Sequence, residues 1–72
     1  MILFLFENTH SVISAEKACV ENGLKCRIIP VPRSISSQCG MAIEADSGNE
    51  TSISGILTEK RIKFDIYREY IK

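Results

Sequence analysis

An α+β fold of order β-α-β-β-α-β is predicted by three observations. The chain opens on a near-continuous apolar run, Met1 to Phe6. Two segments carry apolar residues at helical spacing, and three others alternate apolar with polar side chains. Turn chemistry separates them at Asn22-Gly23, Pro30-Val31-Pro32 and Ser47-Gly48-Asn49. Seventy-two residues suffice for one domain, 1–72, near the lower limit for folding alone.

Ile2 to Phe6 reads as a central strand covered on both faces, because an edge or half-exposed strand would alternate. Asn8, Thr9 and Ser11 offer capping side chains, with Thr9 the favoured N-cap of a helix from about His10 to Asn22. Val12, Ala15 and Cys19 recur on its apolar side, which Ile13, Ala18 and Val20 widen. Gly23 stops it, since glycine takes the left-handed conformation without steric cost. Leu24 to Val31 alternates, with Leu24, Cys26 and Ile28 opposite Lys25 and Arg27, and the two prolines end the strand. Gly40 to Asp46 alternates again. A second helix is expected over about Glu50 to Lys60, with Ile53, Ile56 and Leu57 on its apolar face and Gly55 weakening its interior. Ile62, Phe64 and Ile66 mark the last strand, followed by a charged tail. This order is the ferredoxin-like split arrangement: a four-stranded antiparallel sheet, first and third strands central, and both helices on one face. The other face would expose apolar side chains of the first strand, which motivates weak homodimerisation.

Nine basic and nine acidic residues cancel, and a pI near 6.5 leaves no broad basic footprint for nucleic acid. No apolar run approaches the roughly 20 residues that span a bilayer. Met1 to Phe6 lacks a positive flank and meets Glu7 at once, so it reads as a strand and not a signal peptide. Three cysteines preclude complete internal pairing, and Cys19, Cys26 and Cys39 are too far apart for a C-x-x-C motif. His10 is the only histidine, so a four-ligand metal site would consume every candidate. The expected setting is reducing and cytoplasmic, with free thiols and neither metal nor cofactor.

The segment Pro30-Val31-Pro32-Arg33-Ser34-Ile35-Ser36-Ser37-Gln38-Cys39-Gly40 is where a reactive side chain stands among residues that do not build a core. A thiol in such a loop reads as a sulfur-handling centre. Thiolate character requires nearby positive charge or backbone N–H groups. Arg33 would supply the charge, and the turn through Ser36, Ser37 and Gly40 the amides. Gly40 would also let a partner's sulfur approach closely. The bland reading makes Cys39 a small apolar residue entering the third strand.

Ala15-Glu16-Lys17, Gly23, Ile29-Pro30-Val31-Pro32-Arg33, Ile35-Ser36-Ser37, Cys39-Gly40-Met41-Ala42 and Ile62 to Tyr67 together resemble the selenium/sulfur (Se/S) carrier-like family. The likeness covers nearly the whole chain and is least distinctive in the second helix. It implies a carrier, not a stand-alone enzyme. Cys39 would accept sulfur or selenium as a persulfide or selenosulfide, with donor and acceptor proteins as partners. Pro30 and Pro32 would frame the binding loop, with His10 and Glu16 as accessory residues. For these two the plainer readings are a solvated residue in the first helical turn and a surface helix residue, while the lack of a basic i+4 partner at Val20 favours a functional or buried-pair role for Glu16. Arg33 has its own plain reading, a surface pair with Glu7, Glu44 or Asp46. Cys19 and Cys26 read as core.

The alternative function is a non-catalytic binding or regulatory module that dimerises or takes a small ligand or partner protein, since this fold serves many roles. A cysteine-dependent phosphatase would want its arginine after the cysteine, and a metallochaperone would want paired soft ligands close in sequence.

Overall fold

The computed structural model describes residues 1–31 and 41–68. The apolar opening run forms β1 (Ile2–Leu5), followed by α1 (Thr9–Glu21), β2 (Cys26–Pro30), β3 (Met41–Ala45), a 3-10 turn (Ser47–Asn49), α2 (Glu50–Glu59) and β4 (Asp65–Tyr67). Four strands among the described residues make one antiparallel sheet in the order β2-β3-β1-β4. The α+β class with two helices and an antiparallel sheet is as the periodicities predict. β1 and β3 are the inner strands, and Pro30, which has no N–H to give a second neighbour, sits on the outer strand β2.

Register decides which side chains meet. Ile2 pairs with Ala45, Phe4 with Ile43, and Ile28 with Ile43 from the other side. These residues share one sheet face, and Val12, Ala15 and Cys19 of α1 with Ile53 and Leu57 of α2 pack against it in a single core. Each fully buried Leu, Ile, Val or Phe there contributes about 1.5–3 kcal/mol relative to exposure. Phe64 lies outside β4 yet packs on Phe4, with ring centroids 5.7 Å apart and planes tilted by 56°.

Three local expectations are corrected. Asn8, not Thr9, caps α1, its Oδ1 accepting the Ser11 N–H at 2.8 Å. Ala18 is buried but Ile13 and Val20 are exposed, because they lie on the side of α1 turned from the sheet. The last strand is only Asp65–Tyr67, although Ile62 and Phe64 still pack against the core. The second sheet face also differs from the expected open apolar surface. Leu3 and Ala42 on it are fully buried, and Glu44, at the Leu3 register position, is 2% exposed.

Candidate functional site

The polar segment lies in sequence between β2 and β3, whose register ends on Pro30 opposite Met41. Leu5 pairs with Ala42 and Asp65, so these anchors sit at the sheet end from which β1 runs into α1 and at which β4 begins. Of the residues expected at the site, Pro30 is thus placed, exposed at the loop's start. Pro32, Arg33, Ser36, Ser37, Cys39 and Gly40 lie outside the described residues. His10 is exposed in the first turn of α1, at this same end. It lines a groove of about 760 Å³ with Ser11, Ser14 and Lys17 of α1 and with the Lys60 to Lys63 segment after α2.

Glu16 is placed elsewhere. It is half-buried on α1, near Cys19 and Cys26, and its charge helps disfavour both thiolates. The two thiols hydrogen-bond to each other, and burial pushes the Cys19 thiol from 9.0 up to about 12. Cys26 is shifted upward too, chiefly by burial. Neither is poised as a nucleophile near neutral pH, because the thiolate is the reactive form. Both therefore behave as the core residues the sequence predicts, although Cys26 is only half-buried and borders a second cavity of about 320 Å³.

That second cavity lies at the far end of the sheet, where Cys26 pairs with Ala45. Its lining includes Arg27 and Glu44. Arg27 donates its Nε–H to Oε1 of the buried Glu44 at 2.9 Å. Alternation places Glu44 on the polar side of its strand but does not reveal its burial. The basic Lys60 to Lys63 segment was likewise missed. Its signal was a run of three cations within four residues directly after a helix. Among the described residues, no three His, Cys, Asp or Glu side chains cluster so as to hold a metal ion. No helix among them is long and apolar enough to cross a membrane.

Comparison with known families gives a match to the one described as "Putative Se/S carrier protein-like", over residues 1–68. The chain belongs to the Se/S carrier-like family. The match takes in β1 through β4 and the intervening Cys39 loop, so the motif and the sheet that anchors it fall in one family unit. No curated protein and no solved structure matches the chain.

Proposed function

We propose that this member of the Se/S carrier-like family carries sulfur or selenium on Cys39. The observation that carries the reading is the family match over residues 1–68, which includes the Pro30-x-Pro32-Arg33 and Ser36-Ser37-x-Cys39-Gly40 elements. The pairing of β2 with β3 on either side of that segment supports it, because paired strands give a rigid scaffold from which chemistry-bearing residues can be positioned. The high pKa of Cys19 and the upward shift of Cys26 support it by contrast, since burial disfavours the thiolate at both and Cys39 is the third cysteine of the sequence. The strand order, with both helices packed on one face, supports a ferredoxin-like scaffold.

In the proposed step the Cys39 thiolate attacks the outer sulfur of a donor protein's persulfide. A new S–S bond forms on Cys39, the donor S–S bond breaks, and the donor cysteine leaves as its thiolate. An acceptor nucleophile then takes the outer sulfur or selenium and releases Cys39 as thiolate, so the chain is neither oxidised nor reduced over a cycle. Arg33 stabilises the thiolate through its guanidinium N–H groups. The test is intact mass spectrometry after incubation with a cysteine desulfurase and cysteine. A gain of one sulfur, absent in Cys39→Ser and retained in Cys26→Ser, is expected. A sulfur that stays in Cys39→Ser would refute the assignment.

A further inference from the structure

The two helices end in the same hydrogen-bonded motif, and only one of them ends in glycine. After α1, the Leu24 N–H donates to the Cys19 carbonyl and the Gly23 N–H to that of Val20, each at 3.0 Å. After α2, the Ile62 N–H donates to the Leu57 carbonyl at 2.9 Å and the Arg61 N–H to that of Thr58 at 3.0 Å. Both are Schellman closures, whose central residue takes a left-handed backbone. Gly23 does so at φ 72° without a Cβ to crowd the carbonyl. Arg61 does so at φ 59°, the one non-glycine residue with positive φ among those described. A long, unbranched cation stands where glycine would make the fold more stable, and such exceptions concentrate where side chains have work to do.

That cation lines the groove between α1 and the α2–β4 connection, together with Lys17, Lys60 and Lys63. All four are exposed. The ion pairs among the described residues are Arg27–Glu44 and Arg68–Glu50, so none of the four is neutralised by a contact carboxylate. Glu7 and Glu21 also border the groove, leaving cations in excess. Ser11 and Ser14, one turn apart on α1, add hydroxyl donors. Positive charge beyond a helix C-terminus complements the helix dipole. That effect accounts for Lys60 and Lys63, but lysine or arginine anywhere in the last turn would serve it, without a left-handed arginine.

We propose that this groove binds a small, multiply charged oxyanion of the phosphate class, with Arg61 as its bidentate contact and Lys17 and Lys63 as flanking charges. A guanidinium fork matches the oxygens of such an anion through two parallel N–H···O bonds. Free phosphate compounds and phosphate esters share this chemistry.

The test is an NMR titration of the full chain with inorganic pyrophosphate at constant ionic strength, repeated with a phosphate monoester to separate the two sources. Saturable shifts confined to Ser14, Lys17, Arg61 and Lys63 are expected. Arg61→Gly is expected to raise the melting temperature while weakening binding at least several-fold. Lys63→Gln, which leaves the strained residue in place, is expected to weaken binding as well. Lys25→Gln, at the other end of the sheet, is expected to leave it unchanged. Shifts that never saturate, shifts of equal size at Lys25, or full affinity in Arg61→Gly would each overturn the proposal.

Discussion

Cys19 illustrates how one residue's surroundings set its chemistry. It is fully buried on α1, it shares a hydrogen bond with Cys26, and Glu16 adds negative charge nearby. All of these disfavour its thiolate. The unfolded chain ionises this thiol near 9.0, whereas the folded chain keeps it protonated to about 12. The folded state therefore binds the proton more tightly. Its contribution to stability is complete below pH 9 and is lost as pH rises from 9 towards 12. Urea denaturation across that window is expected to show a fall in stability that Cys19→Ala makes shallower, whatever the substitution costs at neutral pH. Equal slopes in the two proteins would show that another group titrates there. Alkylation should follow the same order, with Cys26 modified before Cys19 in the native state. The apolar spacing of Cys19 made its burial legible in the sequence. The hydrogen bond to Cys26 was not legible, because it depends on how α1 lies across β2.

At the scale of elements, each helix boundary falls within one residue of its expected place, and α2 starts at Glu50 as expected. Gly23 announced the end of α1 because only a residue without Cβ adopts that backbone freely. No comparable signal marked Arg61. The start of α1 was displaced by one residue, since Asn8 and Thr9 are adjacent candidates of similar intrinsic preference. Gly55 gives a direct test of α2. It is exposed within the helix, and an added Cβ there would meet nothing within 4 Å. Gly55→Ala is therefore expected to stabilise the fold by about 0.5–1 kcal/mol through lost unfolded-state freedom. For a chain of this size that raises the melting temperature by roughly 2–8 °C. A lowered melting temperature would mean that α2 is not continuous through residue 55 in solution.

At the scale of the whole molecule, the second sheet face changes the expectation for self-association. Homodimerisation was motivated by apolar side chains standing exposed on that face, but Leu3 and Ala42 are already buried within the protomer. The exposed large apolar residues among those described are Met1, Ile13 and Val20. Ile13 and Val20 lie two turns apart on α1, and isolated exposed residues of this kind are ordinary on a monomer surface. Light scattering at high micromolar concentration is thus expected to give the mass of a monomer. A mass that climbs with concentration would restore the case for an interface.

Local preferences were enough to determine the order of strands and helices, the stop at Gly23, and the apolar stripes of Val12, Ala15, Cys19, Ile53 and Leu57. Periodicity and backbone sterics act over a few residues, so they are written directly in the chain. The tertiary structure alone decided the burial of Glu44 beside Leu3, the meeting of Cys19 with Cys26, and the convergence of Lys17 with Lys60, Arg61 and Lys63. Each joins residues from different elements, and its geometry follows from strand register and helix packing, which emerge only once the sheet has closed and the helices have docked on it.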